Sequence, residues 1–216
     1  MLLPFKINTL FQTTPFANLI ILGVTGLVSL LALFTEAGWA SNLLLDGWSP
    51  AGFFGHMLLH ADLWHLVGNL IFLWVFGNAI CGNTNNLLYP LLYLGFGIAA
   101  AAAHNIFDSG VALGASGAVN GIVGMATAMY PKNNVSMFYF FLYKMGTFEL
   151  QLWVLSLIWL ALDIYRAIGG ESGIAAWAHL GGFFAGLVTG MIFLKYSIVE
   201  LTKWDNESLN EILSLN

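Results

Sequence analysis

The chain has 216 residues, of which 59% are hydrophobic and only 8% charged, with a formal net charge of -5. Soluble domains carry about 25% charged residues, so this composition excludes a water-solvated globule and calls for lipid as solvent. No basic patch or run points to nucleic acid, and the single cysteine, Cys81, excludes an intrachain disulfide or a cysteine-built metal site and is assigned to packing or lipid contact.

A membrane-spanning helix needs about 20 mostly apolar residues, and six segments qualify: 17–35, 64–81, 87–104, 115–130, 150–168 and 175–196. The predicted fold class is an all-α polytopic membrane protein, a six-helix bundle in one domain over 1–216. It has a short cytoplasmic N-terminus, 1–16, and a polar C-terminal tail, 197–216. The first span resembles a signal peptide, with Gly38 and Ala40 beyond it, but its approach carries one lysine and no compact basic region, so the span is expected to be retained. The loop 36–63 carries Trp39, Trp48, Phe53 and Phe54, residue types that favour the headgroup layer. The aromatic run within 131–149 is either an interfacial segment or an extension of its flanking helices. Lys6, Lys132, Lys144, Lys195 and Lys203 fall on one side and Arg166 near the other, which orients both termini to the cytoplasm.

On this topology the polar clusters share a layer. His65 and Asn69 open the second span, Ser116 the fourth and His179 the sixth, and even-numbered spans all run inward from the extracytoplasmic side. Polar groups at membrane depth are costly and point to function.

Ser116 lies in Gly114-Ala115-Ser116-Gly117 at a helix start, where free N–H groups and the positive dipole end suit a developing oxyanion. Taken alone, the same serine reads equally well as an N-cap. A serine hydroxyl needs a base, and His179 is the natural one. The spacing of His179, Gly182 and Gly186 puts them on one face, and Gly117, Gly121 and Gly124 form a matching small-residue stripe, so the two helices can pack closely.

His65 and Asn69 are about 40° apart around a helix and can both support an oxyanion, with Gly114 grouped beside them. His60 precedes Asp62, a candidate N-cap, so it can fold back from the loop to hold it. Asp163 pairs with Arg166 at i, i+3 near the outer surface. His104 and His56 are expected at the interface. The histidines lack an H-E-x-x-H motif, and no metal site is expected.

These residues together resemble the rhomboid intramembrane serine proteases. The resemblance rests on His60-Ala-Asp-Leu-Trp-His65-Leu-Val-Gly-Asn69, Gly114-Ala-Ser116-Gly117 and Ala178-His179-Leu-Gly181-Gly182 with Gly186, in that order over nearly the whole chain. It implies a Ser116–His179 catalytic dyad with no third acid, an oxyanion site from His65, Asn69 and the Ser116 backbone, and no cofactor. The implied partners are single-spanning membrane proteins cut near the outer end of their helix, and the lipid bilayer. The expected location is the bacterial inner membrane. Where many relatives carry an aromatic four residues after the serine, this chain has Asn120, placed to bond His179 or a water. The first loop also lacks the Trp-Arg pair common among relatives. The competing readings are a non-catalytic protein that binds transmembrane helices on the same scaffold, and a small transporter using the intramembrane histidines and Asp163.

Overall fold

The computed structural model describes residues 2–35, 37–108, 110–141, 143–169 and 175–214. Of the tail expected over 197–216, the last two residues lie outside the described range, as do Met1 of the N-terminal segment, Glu36 of the first loop and Leu142 of the 131–149 segment.

Two glycine-lined helices form the centre. Helix α6 (Ser116–Met129) and helix α8 (Ala176–Lys195) pack backbone to backbone. A Cβ at Gly182 would collide with the Gly117 carbonyl oxygen, one at Gly186 with the Gly121 carbonyl oxygen, and one at Gly124 with the Phe183 carbonyl oxygen. Association in lipid gains little from the hydrophobic effect, so van der Waals contact between small-residue faces is what holds such a pair. Helix α5 (Leu88–Phe107) closes on both, with Phe96 against Gly121 and Ala103 against Gly181.

Helix α6 has 14 residues and is buried from Gly117 to Met129 except at Asn120. It lies among other helices and so needs no lipid-facing length.

Among the described residues, five helical segments are long and apolar enough to cross a membrane. They are α1 (Phe16–Phe34), a continuous run over Leu63–Thr84, α5, α7 (Leu152–Gly169) and α8. The run comprises α3 (Leu63–Phe72), one π-helical turn (Leu73–Gly77) and α4 (Asn78–Thr84). A π turn disturbs the backbone ladder, and buried Asn18 of α1 compensates. Its amide donates to the Leu73 carbonyl at 2.9 Å and to Asn78 Oδ1 at 2.8 Å, while Tyr89 donates its hydroxyl to Asn18 Oδ1 at 2.6 Å. In the first loop, Trp39, Trp48 and, within α2 (Pro50–Gly55), Phe54 are exposed, consistent with a loop in the interface.

At the end of the bundle away from Ser116, the chain forms a three-stranded antiparallel sheet in the order β1 (Leu2–Ile7), β2 (Asn134–Phe141), β3 (Lys144–Gln151). This corrects the reading of 131–149 as an extension of its flanking helices. The segment is a hairpin, with Phe141 paired to Lys144 and Asn134 to Gln151. Its aromatic and alternating residues suit a pleated surface, and β1 supplies the third strand that stabilises it.

The polar tail also proves structured. Asp205 accepts from Thr9 Oγ1 at 2.7 Å and Asn133 Nδ2 at 2.9 Å, Lys132 pairs with Glu207, and a Ser208–Glu211 capping box opens α9 (Leu209–Ile212).

Candidate active site

The loop entering α6 is pinned from four directions. Leu45 and Ala112 exchange backbone hydrogen bonds, both 2.9 Å. Gly114 N–H donates to the His56 carbonyl at 2.9 Å. The His56 ring donates to the Gly52 carbonyl at 2.7 Å, and His104 Nε2 donates to the Gly110 carbonyl at 3.0 Å. His56 and His104 are thus buried supports rather than interfacial residues. Their partners are backbone carbonyls brought near by the loop, which spacing does not reveal.

His60 supplies the fourth pin. Its Nε2 accepts from the Ala115 N–H at 3.4 Å, so the ring proton sits on Nδ1 and donates to Ser29 Oγ at 2.8 Å. Ser29 in turn donates to the Leu58 carbonyl at 2.7 Å. This chain of donors requires a neutral imidazole. Burial, and then the adjacent His65 ring, pushes His60 down to about 3, while burial also lowers His56.

With the loop held, Gly114 takes a left-handed φ of +123°, and a Cβ there would lie 2.7 Å from His65 Cε1. Only glycine allows this backbone to lie so close to the ring. Asp62 caps α3 by accepting from the His65 N–H at 2.8 Å, which fixes where His65 leaves the helix.

Ser116 Oγ and His179 Nε2 are 2.9 Å apart. The contact follows from the glycine seam, which sets the two helices close enough for a one-carbon side chain to reach an imidazole. His65, Asn69, Ser116, Asn120 and His179 line one cavity of about 450 Å³, together with Asp163 of α7. A larger pocket of about 720 Å³, between β1, α1 and α3, is lined by apolar side chains such as Leu22, Leu70 and Trp74, and none of the polar cluster reaches it. Gly182 lies in the seam below His179 and makes the close approach possible.

Asn120 and Asp163 depart from the sequence reading. Asn120 donates to the Ser116 carbonyl at 2.9 Å rather than to His179, because a side chain one turn along a helix reaches the preceding carbonyl most directly. Asn69 likewise donates to the His65 carbonyl at 3.1 Å, which leaves its second amide proton for the cavity. The other departure is Asp163, whose Oδ1 lies 3.2 Å from His179 Nδ1 and 3.5 Å from Arg166 Nη1. The expected i, i+3 pair is present, and the same carboxylate also meets the histidine.

Chemically, the arrangement offers a hydroxyl against a base at a helix N-terminus, with amide and imidazole donors on the facing wall. Such a site can perform acyl transfer.

Comparison with known proteins gives a match to the rhomboid domain family model over residues 47–196. Among curated proteins the chain is similar to RHOMBOID-like protein 12, mitochondrial, of Arabidopsis thaliana, at 28% identity over 142 residues, covering 57% of this chain and 40% of that protein. It is also similar to RHOMBOID-like protein 1 of Arabidopsis thaliana, at 28% identity over 137 residues, covering 63% of this chain and 32% of that protein. The chain therefore spans less than half the length of these relatives. The polar cluster falls inside the matched region, and this multi-pass helical membrane protein belongs to the rhomboid family.

Proposed function

We propose that the chain is an intramembrane serine endopeptidase that cuts single-spanning membrane proteins near the extracytoplasmic end of their transmembrane helix, with Ser116 as nucleophile and His179 as general base. The observation that carries this reading is the 2.9 Å contact between Ser116 Oγ and His179 Nε2 at the first turn of a helix inside a membrane bundle.

The 2.9 Å contact and the donors lining the cavity support the following steps. Ser116 donates its proton to His179 Nε2 as Oγ attacks the substrate carbonyl carbon. Negative charge moves to the carbonyl oxygen, where the Ser116 N–H, His65 and the free amide proton of Asn69 face it. His179 then passes the proton to the leaving amine, the C–N bond breaks, and an acyl-serine remains. Water enters the cavity and attacks the acyl carbon as it loses a proton to His179; the Oγ–C bond then breaks, His179 returns that proton to Ser116 Oγ, and the carboxylate product leaves.

The orientation belongs to the same proposal. Lys6 and Lys144 lie in the sheet, and Lys132 and Lys203 lie in the segments packed against it, at the end opposite Ser116. The positive-inside rule assigns that end to the cytoplasm.

Labelling with a serine-reactive phosphonate in bilayers, beside cleavage of a transmembrane reporter peptide, tests this reading. Wild type is expected to label and cleave. Ser116→Ala removes labelling, and both Ser116→Ala and His179→Ala lower turnover by at least about 1,000-fold. Retained cleavage in either folded variant sinks the assignment. A folded wild type that binds the peptide without labelling or cleaving it favours the non-catalytic helix-binding alternative.

A further inference from the structure

Resting on the protease reading, we infer that Asp163 is a positioning residue for His179, so that Ser116, His179 and Asp163 form a relay of three side chains rather than two. The carboxylate lies on α7, 16 residues before the histidine on α8, and it meets the ring on the side opposite the serine.

The contacts assign the tautomer. Ser116 Oγ–H donates to Nε2, which leaves the ring proton on Nδ1, and the Asp163 carboxylate accepts it. A carboxylate there holds the imidazole in the orientation and tautomer that a base for the serine needs, and it offsets the positive charge that forms as the serine proton arrives.

Burial argues the same way. An ionised acid withdrawn from water costs several kcal/mol unless it is paired and hydrogen-bonded. A carboxylate serving only as the i, i+3 partner of Arg166 would gain as much at the surface. Instead the Asp163 side chain is 10% exposed while that of Arg166 is 34% exposed. The acid turns inward to the cavity wall beside His179, and the same oxygen, Oδ1, takes both contacts, the histidine being nearer.

Arg166 draws charge from the carboxylate, so the expected effect is smaller than for an unshared acid. In proteoliposomes with a fluorogenic transmembrane peptide, Asp163→Asn is expected to lower kcat roughly 10- to 100-fold with KM changed less than about twofold. Its thermal midpoint stays near the wild-type value. Asp163→Glu, which keeps the charge, recovers part of the loss. Arg166→Gln, which removes the ion pair but leaves the Asp163 carboxylate in place, lowers kcat less than Asp163→Asn does.

The inference is overturned if Asp163→Asn turns over within twofold of wild type, or if Arg166→Gln reproduces the whole loss. A second measurement does not depend on the Asp163 or Arg166 variants folding. In protein labelled with 15N-histidine, with the His179 resonance assigned by its disappearance in His179→Ala, the neutral ring carries its proton on Nδ1; a proton on Nε2 overturns the inference. Wild type that neither labels nor cleaves overturns the protease reading and this inference with it. Wild-type turnover matched by Asp163→Asn overturns the inference alone.

Discussion

His60 illustrates how a single side chain can serve a site without touching its chemistry. Its ring links Ser29 of the first helix to the Ala115 N–H immediately before the candidate nucleophile. The folded ring resists protonation down to about 3, whereas the unfolded ring takes a proton near its ordinary value of 6.5. Between those values the unfolded chain holds the extra proton, so stability falls as the solution is acidified. Above 6.5 the contribution is complete. His56, also lowered by burial, acts in the same direction. Thermal melts in detergent are expected to be flat above about pH 7 and to decline steadily below about pH 6, with a shallower decline in His60→Leu. That variant also strands the Ala115 N–H, removes the ring donor to Ser29 Oγ, and loses about 1–3 kcal/mol at pH 7.5. A pH dependence identical in His60→Leu and wild type would remove His60 from this account. Much at this scale was legible in sequence, because a serine, two histidines and an asparagine at membrane depth stand out against apolar neighbours. The roles of His56, His104 and Asn120 were not, since each binds a backbone carbonyl whose position depends on the folded loop or helix.

Among the elements, the α6–α8 seam decides whether Ser116 meets His179. The glycine stripes predicted the pairing, and the structure seats Gly182 on Gly117 and Gly186 on Gly121. Backbone cannot yield as a flexible side chain can. Gly186→Ala is therefore expected to cost about 1–3 kcal/mol and to reduce turnover by widening the Ser116–His179 distance. Gly95→Ala on α5 is the control, since a Cβ there meets nothing within 4 Å. It is expected to be neutral or to stabilise by up to about 1 kcal/mol. Unfolding curves and turnover for the two variants check the pair; equal effects would mean that the seam is looser than described. Helix α7 is held differently, by Trp159 against Phe72 and Phe76 with centroids 5.0 and 6.1 Å away, and by Asp163 at His179. Its sequence shows a plain apolar span with one acid, and nothing in that pattern says which neighbour the acid faces.

For the whole molecule, the two ends of the bundle are built for different tasks. The Ser116 end carries the cavity, and the opposite end carries the sheet and the tail, joined through Asp205 to Thr9, Asn133 and Thr202. Asp205→Ala is expected to lower stability by about 1–2 kcal/mol and to speed proteolysis of the N-terminal strand, with kcat unchanged within about twofold. A large fall in kcat without loss of stability would show that the two ends are coupled. By itself the sequence determined the solvent, the approximate spans and the polar layer, because lipid makes every unpaired polar group and every short apolar run conspicuous. Tertiary structure decided the hairpin, the docked tail and the partner of Asp163. Each depends on contacts between segments far apart in the chain, where local composition is compatible with several outcomes and packing selects one.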